Sequence, residues 1–347
     1  MNLAPFKDLI DQLVSGYDLD EEQSIRAFQI MMGGGATPAQ IAAFLVAMRI
    51  KGETVTEITG AARTMRHKAL AFTAPEGAID TCGTGGDASG SYNISTATAI
   101  VTAACGIPVV KHGNRSVSSR SGSADVMKEL GVNLQASTET MERALAECNL
   151  CFLMAPAYHK AMRHVGPVRQ ELGMRTIFNL LGPLSNPAGV SRQLLGVYSP
   201  RLLQPLAEVL VELEIESAWV VHGHGGLDEI SLTGNTQVVR VENGKIDSFE
   251  VDPAEANLRL CDPADLRGGD AATNARALEA VLAGRASPYR DIVCLNAAAC
   301  LVLSHIAEDL AEGALIARKA IDSGDARDSL NTLIRITNEE GSEDDDS

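Results

Sequence analysis

Between Asp80 and Thr96 the chain reads Asp-Thr-Cys-Gly-Thr-Gly-Gly-Asp-Ala-Ser-Gly-Ser-Tyr-Asn-Ile-Ser-Thr. Gly83, Gly85, Gly86 and Gly90 allow positive φ and let backbone approach a ligand that a Cβ would push away. Ala78 and Ile79 read as the end of a buried strand, and Ile94 to Cys105 as a tightly packed helix. A strand, a glycine turn and a helix N-terminus offer a row of free N–H donors to an anion. Ser91, Asn93, Ser95 and Thr96 add side-chain donors at the same mouth. The chemistry that suits this arrangement is the binding of a phosphate or pyrophosphate; the plainer alternative is a surface loop. No Gly-Lys-Ser/Thr follows, so the stretch is not a P-loop. Asp87 also spoils a dinucleotide fingerprint, and a carboxylate beside phosphates needs a metal or a ribose hydroxyl to face.

A second loop, Lys111-His112-Gly113-Asn114-Arg115-Ser116-Val117-Ser118-Ser119-Arg120, follows a strand ending at Val110 and has no acid before Asp125. In an acidic protein, a local basic loop points to an anionic ligand. Lys111 and Arg115 can neutralise phosphate charge, while Ser118 and Ser119 donate hydrogen bonds. Asp228-Glu229 follows the glycine-rich turn His222-Gly223-His224-Gly225-Gly226. Paired hard oxygens suit Mg²⁺, which bridges carboxylates to substrate phosphates. Adjacent strand residues face opposite ways, so both can reach one ion only from a loop. His222 and His224 lack a third ligand at zinc spacing. Arg169 is a bidentate partner for a carboxylate, or else a surface arginine paired with Glu171. His112, His159 and His164 are general-base candidates by residue type alone.

The elements that must position these residues fall into two groups. Residues 1 to about 70 read as four helices, with Phe6, Leu9, Ile10, Leu13 and Val14 on one face. Asp20 caps the second, Thr37 with Gln40 boxes the third, and Thr54 with Glu57 the fourth. Their apolar faces exceed what so small a bundle hides, so one meets another part of the protein or a second subunit. From 71 onward the pattern alternates: strands at Pro108–Val110, Cys151–Met154 and Ala218–Val221, and a helix that Ser123 caps. Thr236 to Val251 reads as a hairpin turning at Asn243-Gly244, followed by helices near 271–284, 291–311 and 313–323. The alternation implies an α/β fold with a mostly parallel central sheet and ligands at the strand C-terminal ends. Arg163 to Pro187 breaks the pattern; it is expected to join the N-terminal helices, with the cleft between the lobes. The domains so read are 1–70 plus about 163–187, helical, and 71–162 plus 188–338, α/β.

The 347-residue chain carries a net charge of −16, which argues against a nucleic-acid surface. Part of that charge lies in residues 339–347, read as a disordered acidic tail. Seven cysteines, an odd number, indicate a reducing cytoplasm rather than a disulfide framework. No apolar run reaches membrane-spanning length, and the early Lys7, Asp8 and Asp11 exclude a signal peptide.

Gly83-Thr84-Gly85-Gly86-Asp87, Asn93-Ile94-Ser95-Thr96, the Lys111–Ser119 loop, Arg169, Arg175-Thr176-Ile177-Phe178-Asn179-Leu180-Leu181-Gly182-Pro183 and Asp228-Glu229 together resemble the anthranilate phosphoribosyltransferase family. The resemblance covers nearly the whole chain outside the acidic tail. It implies a helical domain that forms a homodimer, an α/β domain, and transfer of phosphoribose from phosphoribosyl pyrophosphate to anthranilate in tryptophan synthesis. It implies that Gly83, Gly86, Asp87, Ser91, Asn93, Ile94, Ser95 and Thr96 bind phosphoribosyl pyrophosphate. Lys111, His112, Gly113, Asn114, Arg115, Ser116, Val117, Ser118, Ser119 and Ser123 do so too. By the same resemblance Ser95, Asp228 and Glu229 bind Mg²⁺, and Gly83, Asn114 and Arg169 contact anthranilate. Arg169, Asn114 and Lys111 are the residues implied to serve catalysis. Two departures stand out: Tyr158-His159-Lys160 replaces a His-Pro pair, and Gly166 an alanine. A pyrimidine nucleoside phosphorylase of similar architecture and a non-catalytic nucleic-acid-binding relative are the alternatives.

Overall fold

The computed structural model describes residues 4–87, 89–115 and 121–339. It opens with helices α1 (Ala4–Val14), α2 (Glu21–Met32), α3 (Pro38–Lys51) and α4 (Val55–Lys68). The capping boxes at Thr37 and Thr54 form, and Asp20 closes a third with Gln23. Each satisfies N–H groups that a helix start leaves open. Glu57 does more than cap: its buried carboxylate also accepts from Leu19 N and from Lys51 Nζ.

The α/β body follows as β1 (Ile79–Gly83), α5 (Ile94–Ala104), β2 (Val109–Gly113), α6 (Ser123–Glu129), α7 (Thr138–Cys148) and β3 (Leu150–Met154). The chain then crosses through α8 (Ala155–Tyr158), α9 (Gly166–Leu172) and α10 (Ile177–Leu184). It returns as β4 (Arg192–Gly196), α11 (Leu203–Glu212) and β5 (Ser217–His222), and the hairpin β6 (Thr236–Glu242) and β7 (Lys245–Val251) turns at Asn243-Gly244. Four helices finish it: α12 (Ala271–Leu282), α13 (Pro288–Leu303), α14 (Leu310–Asp322) and α15 (Asp325–Glu339).

The sheet order is β3-β2-β1-β4-β5-β6-β7, with β1 to β5 parallel and the hairpin antiparallel. The chain builds outward from β1 to β3, then restarts on the other side at β4. The order therefore reverses between β1 and β4, and such a switch point opens a crevice at the strand C-terminal ends. Successive strand residues face opposite layers. Leu194, Trp219 and Val221 pack with α5 and the C-terminal helices, while Leu195, Ala218 and Val220 pack with α1–α4, α10 and α11. Phe28 of α2 meets Phe178 of α10 with ring centres 5.5 Å apart.

Several sequence expectations shift. Ile79 begins its strand rather than ending it, because Asp80 and Thr81 are buried as strand residues with partners of their own. Ser123 is the first helical residue, not the cap; Asp125 bonds back to Gly122 N. The helices expected near 291–311 and 313–323 run instead over Pro288–Leu303 and Leu310–Asp322. Elements α7, α11, β4 and α15 were not read from the sequence; in β4 the buried Gln193 interrupts the apolar run.

Candidate active site

Three loops leave the C-terminal ends of β1, β2 and β5 and line one cavity of about 710 Å³, a size that suits small substrates. The glycine turn after β1 supplies Gly83 to Asp87, with Ser91, Asn93, Ile94, Ser95 and Thr96 at the start of α5. Lys111, His112, Gly113, Asn114 and Ser123 come from β2 and its connection to α6. Asp228 and Glu229 come from the loop after β5, and Arg169 from α9. Arg115 is exposed and outside this lining; Ser116, Val117, Ser118 and Ser119 lie outside the described residues.

Close packing brings the acidic pair in. Gly83 and Gly196 sit side by side in register at the ends of β1 and β4. A Cβ on Gly83 would overlap the Asp228 carboxylate, and one on Gly196 would overlap the Asp228 backbone carbonyl. Asp228 Oδ2 accepts from Gly85 N at 2.8 Å, and Glu229 Oε1 from Ser95 N at 2.9 Å. Two amides that the sequence offers to a phosphate are thus turned to carboxylates, because a helix N-terminus and a glycine turn attract any nearby anion. Burial and then the neighbouring Asp87 raise the pKa of Asp228. Burial and then Asp228 raise that of Glu229. Among the described residues no donor reaches the buried Asp87 Oδ2.

Lys111 supplies countercharge to Glu229. It is buried; its Nζ donates to Thr81 O at 2.5 Å and to Ser95 Oγ at 3.3 Å. Its ammonium therefore lies beneath the start of α5, where its charge favours the ionised forms of Glu229 and Asp80.

The opposite wall is different. Burial, then the His159 ring, pushes His112 down to about 3, and burial lowers His159 also, so both are neutral. Their ring centres are 5.1 Å apart. Arg169 lies with its guanidinium carbon 5.1 Å from the centre of the Phe178 ring, and burial lowers its pKa. Among the described residues Arg169 has no ion-pair partner; the pairing with Glu171 does not form. Asn114 is exposed at the rim, its Oδ1 accepting from Arg115 N at 2.8 Å.

Known proteins share this architecture. The glycosyl transferase family α/β domain matches residues 75–327, and the helical bundle domain of the same family matches residues 7–69. An anthranilate phosphoribosyltransferase of Rhodospirillum rubrum is 57% identical over 330 residues, 95% of each chain. The chain belongs to the anthranilate phosphoribosyltransferase family. The family enzyme of Thermus thermophilus superposes with a TM-score of 0.90 at 40% identity, covering 95% of this chain and 99% of that one. That of Saccharomyces cerevisiae, solved in complex with phosphoribosyl pyrophosphate and Mg, superposes with a TM-score of 0.89 at 28% identity, covering 96% and 98%.

Within that family the carboxylates can be tested as a cation site. Hard oxygens crowd together: Asp228 and Glu229 have raised pKa values, and among the described residues Asp87 Oδ2 has no donor. Among the described residues no three His, Cys, Asp or Glu side chains form a metal cage. A partial oxygen set fits Mg²⁺, which completes its shell with water and substrate phosphate.

Sequence reasoning passed over several residues that hold this site. Asn274 of α12 donates to Asn93 Oδ1 at 2.8 Å, and Tyr289 OH donates to Asn93 O at 3.2 Å. Asn186 Nδ2 donates to the buried Asp80 Oδ2 at 2.9 Å and to Val110 O at 2.8 Å. Asp80 is held up at about 6 by its burial, against Lys111 and Asn186. Asn186 lies at the end of the segment that breaks the strand–helix alternation, and no local signal ties it to β1.

Proposed function

We propose that this chain transfers the 5-phosphoribosyl group of phosphoribosyl pyrophosphate to the amine of anthranilate, releasing pyrophosphate, in tryptophan biosynthesis. The observation that carries this reading is the meeting of the glycine turn, Lys111 and Asp228-Glu229 in one cavity that Arg169 also enters. Asp228 and Glu229, with Ser95, would hold Mg²⁺, which when bound stabilises negative charge on the departing pyrophosphate. Gly83, Gly86, Ser91, Asn93, Thr96 and Ser123 would bind the sugar diphosphate through amides and hydroxyls.

Anthranilate brings a carboxylate and an amine that is already a nucleophile. The unpaired Arg169 would take the carboxylate, and Asn114 with Gly83 would fix the ring so that the amine faces the anomeric carbon. Orientation is then the main contribution of this wall. His112 and His159, kept neutral, add no positive charge beside an oxocarbenium-like sugar. No dedicated base is required before the bond forms.

The chain is proposed to work as a cytoplasmic homodimer. Val14, Tyr17 and Ile50 of the helical lobe are 69%, 68% and 81% exposed, the apolar surface a second copy would cover. All seven cysteines are free thiols, as a reducing compartment keeps them. No helix among the described residues is long and apolar enough to cross a membrane.

Anthranilate fluorescence tests the reading. It should fall only when phosphoribosyl pyrophosphate and Mg²⁺ are both present; a steady signal with both would refute the assignment.

A further inference from the structure

Arg175 stands in the junction between α9 and α10 and does not line the cavity. Its Nη2 donates to Gly86 O, and its guanidinium carbon lies 4.1 Å from the centre of the Tyr198 ring. Tyr198 N donates in turn to Thr84 Oγ1 at 3.2 Å, and Thr84 N donates to Gly196 O at 2.9 Å. These contacts close a ring from the glycine turn through Arg175 and Tyr198 back to the turn. Gly86, at φ +75°, leaves room for this contact; a Cβ there would lie 2.9 Å from Arg175 Nε.

On its other side Arg175 borders the acceptor wall. Gly173, at φ 58°, ends α9 by donating to Arg169 O. Thr176 N donates to Asn179 Oδ1 at 3.0 Å to open α10, and two residues on, Phe178 carries Arg169 over its ring. The junction is short, so wherever Arg175 is fixed, the starts and ends that aim Arg169 and Phe178 are fixed also. A turn with positive φ at both Gly85 and Gly86 has much backbone freedom to lose, and a bound diphosphate would restrict it.

We infer that Arg175 is a positioning residue that couples the two substrates: occupancy of the glycine turn by a diphosphate steadies Arg175, and through it the junction that aims Arg169 at the acceptor carboxylate. This inference rests on the transferase reading above. Coupling of two binding sites is reciprocal, so each ligand must tighten the other by the same factor.

The test uses the full chain and an unreactive occupant, Mg²⁺-pyrophosphate. Anthranilate affinity is measured by its fluorescence with and without that occupant. The parent protein should bind anthranilate about tenfold more tightly with it, within the usual range of coupling. In Arg175→Ala the ratio should fall below about threefold, and KM for anthranilate should rise more than kcat falls. Tyr198→Phe keeps the ring face and should keep the parent ratio; Tyr198→Ala should lower it. An unchanged ratio in Arg175→Ala, or a parent ratio of one, overturns the inference. Should Arg175→Ala fail to fold, the contrast between Tyr198→Ala and Tyr198→Phe decides, equal ratios overturning it. A parent that turns over both substrates but shows no coupling refutes only this inference. A parent that neither binds nor consumes anthranilate refutes the transferase reading and the coupling with it.

Discussion

The two walls of the cavity solve opposite problems. The diphosphate wall gathers like charge: Asp87, Asp228 and Glu229 stand close, and one oxygen has no donor among the described residues. The acceptor wall carries the opposite sign: Lys160, Arg163 and Arg169 line it, Arg169 lying over Phe178, beside His112 and His159, whose burial disfavours further positive charge. Their construction differs as well. The first hangs from strand ends within the sheet; the second comes largely from the crossing segment between β3 and β4. The contrast suggests a division of labour. In the proposed reading the crowded anionic pocket takes a cation and its phosphates, and the cationic wall orients a flat aromatic acid.

The sharpest way to break that division is at the acidic pair. Asp228→Asn or Glu229→Gln should lower kcat by about 100-fold or more and weaken the dependence on Mg²⁺, with an unchanged circular dichroism spectrum. A magnesium titration that leaves both variants at parental rates would remove the pair from the chemistry. Next comes Arg169→Ala, which loses a charge-assisted contact and should raise KM for anthranilate by about 10- to 100-fold. An effect confined to the diphosphate substrate would erase the distinction between the walls.

Smaller effects sharpen the comparison by separating support from chemistry. Asn186 ties the crossing segment to β1 and β2. Asn186→Ala leaves the buried Asp80 oxygen without that donor and should cost about 2 kcal/mol in urea unfolding. The least effect is in pH. His112 has its pKa lowered on folding, so the unfolded chain binds a proton that the folded chain refuses. Stability is therefore lost as pH falls below the unfolded value of about 6.5, by about 1 kcal/mol between pH 8 and 5.5. His112→Gln should flatten that part of the stability profile; an identical slope would show that other groups set it.

Much of this was legible because the decisive residues announce themselves locally. Gly85-Gly86-Asp87, Lys111 and Asp228-Glu229 carry unusual types at loop positions, and the α/β alternation places such loops at strand ends. The remainder depended on partners far apart in the chain. Asn274 and Tyr289 hold Asn93 from helices that read only as amphipathic. Lys111, read as a phosphate partner, also donates from the third position of a buried strand to Thr81 and Ser95, partners that no local signal shows. The strand β4 escaped because Gln193 is buried with its own bond to Pro183 O, so polarity did not mean exposure.

The touching of Gly83 and Gly196 against the Asp228 segment has a consequence for how this chain can vary. Neither glycine has a positive φ, so neither is kept by its own conformation. Each is kept by an occupant from a distant loop that fills the volume where a side chain would begin. A saturation library at these two positions should therefore return only the parental residue under selection for growth without tryptophan. Relief would come from changes that shift the 223–231 loop, and a compensating variant found there would map the contact genetically.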